Sequence, residues 1–293
     1  MKIFEDYKKS LKMLEVEEVL DLIIYRPLAF IFVKLIVGTN LTPNQITTTA
    51  LIFGIIASLL FYFNTPTAFL IAGILFIIYD VLDCADGQLA RIKKNGTPLG
   101  RVLYGLADYI VTTLAYLFIG IGFASNSEDP LLFWGLTIAA GISNAIHSSI
   151  LDFYRNRFLD YALDRESILG DSLKEFKDMQ DELKGTKGNY YEKSILWVYL
   201  KYSQVQLLFS SSSLETEKKK YDAKDFYKKH KTIMHLWTYL GPTSELTFLI
   251  VTAMLNRLDI YLLGIVTIGN LYMAVLYFFQ NRINKSTKLS GLN

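Results

Sequence analysis

The chain has 293 residues, 52% of them hydrophobic, with a formal net charge of only +2. So even a charge balance leaves no footprint for nucleic acid, and a single cysteine, Cys84, excludes an intramolecular disulfide framework. The apolar residues fall into long blocks with few charges, the signature of bilayer-spanning helices, and the charges collect between the blocks.

The charged, amphipathic N-terminus, Met1 to Glu18, lacks the short apolar core and small-residue cleavage site of a signal peptide. Val19 to Val37 is apolar but interrupted by Arg26, Pro27 and Lys34. It reads as a helix lying at the membrane interface, continuous with the charged segment before it, with a seventh span as the rival. Six spans come next: Pro43 to Phe63, Thr67 to Arg91, Pro98 to Phe123, Pro130 to Phe153, Ile233 to Leu255 and Ile260 to Phe279. Each is roughly 20 residues or more, enough to cross about 30 Å of hydrocarbon. Thr42 with Pro43 makes a helix start, and Gly241-Pro242 predicts a kink or early break in the fifth. The expected fold is therefore an all-α integral membrane bundle of six transmembrane helices with an N-terminal interfacial amphipathic helix.

Between the fourth and fifth spans lies a polar insertion. Asp171 to Lys184 reads as a solvated helix. Ile195, Val198, Tyr199, Tyr202, Val205 and Phe209 recur at spacings of three and four, a surface-lying amphipathic pattern. Lys218, Lys219 and Lys220 suit anionic headgroups, and a solvated linker explains the segment equally well. The chain thus divides into residues 1–40 (interfacial), 41–155 (four spans), 156–231 (insertion) and 232–293 (two spans and tail). The loops after spans one, three and five carry one basic residue, Arg257, whereas Arg91, Lys93, Lys94, Arg101, Arg282, Lys285 and Lys288 lie on the other side. The positive-inside rule places both termini in the cytoplasm, and with them the end of span two.

That end carries the chemistry. Asp80, Asp83 and Asp86 lie three residues apart at the close of an apolar helix. Neighbours at that spacing share a face, and carboxylates at membrane depth mark functional sites. Clustered like charges repel unless a cation neutralises them, and oxygen ligands suit Mg²⁺, Mn²⁺ or Ca²⁺. Gly100 and Asp108 lie two turns apart on span three, near the same end.

Asp83-x-x-Asp86-Gly87-x-x-Ala90-Arg91, eight residues, Gly100, seven residues, Asp108 resembles the signature of the CDP-alcohol phosphatidyltransferases. The other fixed positions of that pattern match; the Asp it places midway between Gly100 and Asp108 is Tyr104 here. The motif resemblance covers Asp83 to Asp108, and the architectural one Leu41 to Phe279. It implies that an acceptor hydroxyl attacks the β-phosphate of a CDP-linked lipid donor, releasing CMP. It implies Mg²⁺ or Mn²⁺ held by Asp83 and Asp86, with Asp108 beside it as ligand or as base. It places Gly87, Ala90 and Gly100 against the nucleotide, Arg91 at the diphosphate, and Asn44 at the nucleotide side of span one. Small relatives are commonly homodimers, in the cytoplasmic membrane of the cell.

Tyr104 leaves three accounts open: one metal rather than two, Asp80 supplying the missing carboxylate, or loss of the usual activity. Residue by residue, bland readings stand beside these. Asp80 can be a buried carboxylate paired to a tyrosine or water, Cys84 a packing residue, and Gly87 and Gly100 aids to close helix packing. Arg155, just past span four, suits a phosphorylated polar alcohol acceptor, or anchors topology together with Arg157; His147 reads as a hydrogen-bonded packing residue. The wording Asp83-Cys84-Ala85-Asp86-Gly87-Gln88-Leu89-Ala90-Arg91 and Tyr154-Arg155-Asn156 resembles bacterial inositol-lipid synthases, a resemblance that points to inositol or inositol phosphate and leaves the acceptor alcohol open. The rival function is a catalytically inactive relative that binds nucleotide or lipid and partners another enzyme. A small transporter is disfavoured, because the carboxylates sit at one end of span two rather than at the midplane.

Overall fold

A computed structural model describes residues 7, 10–11, 14–94, 98–163, 177–184, 188, 190, 193–194, 196–197, 200 and 221–290, leaving aside the side chains of 98–104 and 163. The described residues are helical apart from turns and one isolated bridge between Tyr221 and Leu289. A π turn, Asp21–Tyr25, leads into α1, Arg26–Ile36; then come α2, Pro43–Leu60, α3, Pro66–Lys93, α4, Pro98–Ser125, and α5, Pro130–Leu163. After the insertion come α6, Ala223–Trp237, α7, Pro242–Met254, α8, Leu258–Gly264, and α9, Asn270–Ser286, the last two joined by a π segment, Ile265–Gly269.

Proline is the first residue of five of these helices, where the missing N–H costs nothing. At α2 the Thr42 side chain accepts from the Gln45 amide while the Gln45 side chain accepts from Thr42, a capping box. Thr65 caps α3 in the same way, through the Ala68 amide. Asn64 and Lys94 stop their helices in the left-handed region.

Among the described residues five helices are long and apolar enough to cross a membrane: Pro43–Phe63, Pro66–Lys93, Gly105–Ser125, Pro130–Ala162 and Leu258–Ser286. The region predicted as the fifth of six spans is divided. Thr238–Leu240 forms a 3₁₀ turn and Gly241 is extended, so α6 ends and a shorter α7 of 13 residues begins at Pro242. The break falls where Pro242 removes a backbone donor. The N-terminal segment also departs from one continuous helix: residues 14–18 form turns before helix resumes. Its charges Glu17, Glu18, Asp21 and Arg26 are buried, while Leu28, Ile31 and Leu35 of α1 are exposed.

The central element is α3, 56% of whose apolar window is buried, against 22% for α5 and for the last span. Phe76 and Tyr79 of α3 meet Val111 and Ile119 of α4, Leu249 and Ile250 of α7, and Leu262 of α8 in the main core. Gly122 of α4 lies against the Phe61 carbonyl, a contact that leaves no room for a side chain. A second core joins Tyr154 and Phe158 of α5 to Phe226, Met234 and Trp237 of α6 and Leu276 of α9. A third seats Tyr25, Ala29 and Val33 against Cys84, Ala85 and Leu89. Through it the N-terminal segment reaches the acidic end of α3.

Candidate active site at the end of the second span

The second half of α3 buries Asp80, Asp83 and Asp86, each less than 9% exposed. Their surroundings come from three directions. From α2, Thr47 donates its hydroxyl to Asp86 Oδ2. From α4, Asp108 accepts a hydrogen bond at 2.5 Å from Tyr79, one turn before Asp83. From the N-terminal side, Asp21 and Cys84 approach Asp80: one donor atom from each of the three lies within 4.8 Å of the others. Among the described residues this is the one group of three potential metal ligands that converges so closely. Asp83, Asp86 and Asp108 do not meet that condition together.

Other predicted site residues have partners of their own. Arg91 Nε donates to the Ser10 carbonyl at 2.5 Å. A Cβ on Gly87 would meet only the Arg91 guanidinium, at 3.4 Å, so this glycine leaves a shallow step beside the arginine rather than a tight helix contact. Ala90 is half-buried and its carbonyl receives the Lys94 amide at the helix end. Asn44 lies in the first turn of α2, its carbonyl accepting from Thr48 at 2.8 Å. Lys93 ties the two helix ends together by donating to the carbonyls of Thr39 and Leu41. Arg155 pairs with Asp152 at 3.0 Å and donates to the Val16 carbonyl at 3.2 Å. The side chains of Gly100's neighbours and of Tyr104 lie outside the described residues, as does most of the amphipathic stretch around Val198 to Phe209 and the lysines 218–220.

The residues that sequence reasoning missed are Glu18, Asp21, Arg26, Thr47 as the Asp86 donor and Tyr79 as the Asp108 donor. Arg26 bonds Glu17 at 2.7 Å and lies 3.8 Å from Asp21. Glu18 Oε2 accepts from the Ser244 amide and hydroxyl at 3.0 and 3.2 Å, capping α7 where Gly241 offers no side chain. Burial pushes the Glu18 carboxyl up to about 8, Asp21 reinforcing this and Arg155 opposing it. For Asp21 and Arg26 the one signal in the sequence is charge inside an otherwise apolar stretch. Deeper in the bundle, His147 bonds Glu245 at 2.6 Å and Asn270 at 3.1 Å, so it is a hydrogen-bonded core residue.

A helical membrane bundle with a buried carboxylate set at one end of its central span is a site for chemistry on a polar group held at the bilayer surface. Residues 40–156 match the family model described as CDP-alcohol phosphatidyltransferase. Over these residues the chain is similar to a domain of membrane phosphatidyl-transfer enzymes, a family whose members generally use a divalent metal. The match takes in α2 to α5 up to Asn156 and ends before the insertion. Among curated proteins no relative matches the chain.

Proposed function

We propose that this protein transfers a phosphatidyl group from a CDP-alcohol such as CDP-diacylglycerol to a hydroxyl acceptor, inositol or inositol phosphate, and releases CMP. The observation that carries the reading is the burial of Asp83 and Asp86 inside the matched domain, with Asp108 drawn to the same helix through Tyr79. In this reading α6 and α7 supply the fifth of six crossings, α1 lies at the interface, and both termini and the site face the cytoplasm. The working unit is a homodimer in the cytoplasmic membrane.

Hard oxygen donors of this kind fit Mg²⁺ or Mn²⁺. Asp83 and Asp86 would hold the ion, which would neutralise the diphosphate and polarise the phosphorus under attack. Thr47 orients Asp86 by its hydroxyl. Gly87, Ala90 and Gly100 leave room for the cytidine to lie close to the backbones of α3 and α4, with Asn44 lining the α2 side. Arg91 turns from Ser10 to the diphosphate when the donor binds. Asp108 takes the proton from the acceptor hydroxyl, and Tyr79 holds that carboxylate in place. The acceptor oxygen forms a bond to the β-phosphorus, the bond from that phosphorus to the bridging oxygen breaks, and CMP leaves with the electron pair. Arg155 binds the phosphate of a phosphorylated acceptor. Asp80 stands outside this set, because its carboxyl gathers with Asp21 and Cys84.

The test is CMP release from CDP-diacylglycerol by the purified protein with Mg²⁺ or Mn²⁺ and inositol, inositol phosphate, glycerol phosphate or serine. Acceptor-dependent release that disappears in Asp83→Asn supports the reading. Binding of CDP-lipid without release for any acceptor supports the inactive relative, to which Tyr104 in the motif points.

A further inference from the structure

A second set of ligand-type side chains forms on another face of α3. At about 100° per residue, Asp80 and Cys84 lie one above the other, and Asp86 sits more than about 100° around the helix from both. Asp86 faces Thr47 of α2, whereas Cys84 Sγ lies 3.3 Å from Asp21 Oδ1 of the N-terminal segment. Asp21, Asp80 and Cys84 are 8%, 4% and 7% exposed, and their donor atoms fall within 4.8 Å of one another. Asp80 Oδ2 is buried and has no hydrogen-bond partner among the described residues. An ionised carboxylate in such a place calls for a proton or a metal. Arg26, bonded to Glu17 at 2.7 Å, lies 3.8 Å from Asp21 and gives Asp80 Oδ2 no hydrogen bond.

The donor set chooses among cations. Two carboxylates alone would suit magnesium, but a thiolate shifts the preference to a borderline-soft ion. Zinc ligand bonds of about 2.3 Å to sulfur and about 2.0 Å to oxygen put tetrahedral S···O neighbours about 3.5 Å apart, close to the separation between Cys84 and Asp21. The Thr243 hydroxyl, 3.3 Å from Asp21 Oδ1, fixes that carboxylate from the start of α7, as outer partners of metal ligands do. We propose that Asp21, Asp80 and Cys84 bind a divalent cation of the zinc type, with water at the remaining position, clamping the N-terminal segment to the second span. Cys84 gives up its thiol proton to solvent as the ion binds. The site is separate from the oxygen-only set of Asp83 and Asp86 and stands whether or not the protein transfers phosphatidyl groups.

Cobalt chloride is the probe, added to the full chain in detergent after chelator treatment. Cys84 is the chain's single cysteine, so a thiolate-to-cobalt charge-transfer band in the near ultraviolet reports this site and no other. The expected result is a band saturating near about one equivalent per chain. It should be removed by equimolar zinc, persist in millimolar magnesium and in Asp83→Asn, be absent in Cys84→Ser and weaken in Asp21→Asn. Absence of the band in the wild-type chain, or a band unchanged by zinc, overturns the proposal even where a variant fails to fold.

Discussion

Replacing Glu18 by Gln tests how the N-terminal segment is held on α7. The Glu18 carboxyl accepts two hydrogen bonds from Ser244 while buried beside Asp21, and its affinity for a proton is raised from 4.5 to about 8. Because the folded protein holds this proton more tightly than the unfolded chain, the stability it contributes is fully present below about pH 4.5. It is lost as pH rises through about 8. At 1.36 kcal/mol per pH unit the ceiling is about 5 kcal/mol. Water admitted to a relaxed buried site lowers the working figure to about 2–3 kcal/mol, or about 5–10 °C in Tm for a chain of this size. Glutamine keeps an oxygen for the Ser244 amide and removes the titration. Thermal unfolding in detergent with EDTA should therefore show Tm falling by that much more in wild type than in Glu18→Gln between pH 5 and 9. Parallel pH dependences, or a wild type that gains relative to the variant as pH rises, would refute the reasoning.

Other perturbations act at separate points. Gly122→Ala pushes a Cβ into the Phe61 carbonyl, which cannot yield as a side chain would; α2 and α4 must part, and thermal unfolding should report a loss of about 1–3 kcal/mol. Tyr79→Phe removes one donor on Asp108 and should slow CMP release about tenfold, the value of one hydrogen bond to a charged group. His147→Leu leaves Glu245 buried without its 2.6 Å partner and should cost about 3–5 kcal/mol. The double variant with Glu245→Gln should recover part of that loss in the same assay.

The fold was legible where the physics is local. Long apolar blocks opened by Pro43, Pro66, Pro98 and Pro130 declare helices through composition and a fixed φ, and the structure starts helices at each. The fifth predicted span was harder, because Gly241-Pro242 marks a break without saying where the chain goes after it. Only the tertiary contact of Met254 with Gly73 and of Leu249 and Ile250 with the core shows that the short α7 belongs to the bundle. The acidic motif was legible by spacing alone, since residues three apart on a helix are neighbours whatever surrounds them.

What spacing could not convey is which face of α3 each carboxylate serves, and that depends on chains arriving from elsewhere. Asp80 looks like one more member of an acidic ladder when only positions 80, 83 and 86 are considered. The helix turns by more than a quarter circle over those steps, so α2 reaches Asp86 through Thr47, α4 answers Tyr79 through Asp108, and the N-terminal segment meets Cys84 through Asp21. The last approach has no periodic signal, because Glu18, Asp21 and Arg26 read as surface charge in a helix lying on the bilayer. Their burial answers a need of a distant element: α7 lacks a side chain at its cap, and Glu18 supplies the acceptor for the Ser244 amide. A segment that meets this need has reason to fold inward, carrying its charges with it and leaving Ile31 and Leu35 to face outward.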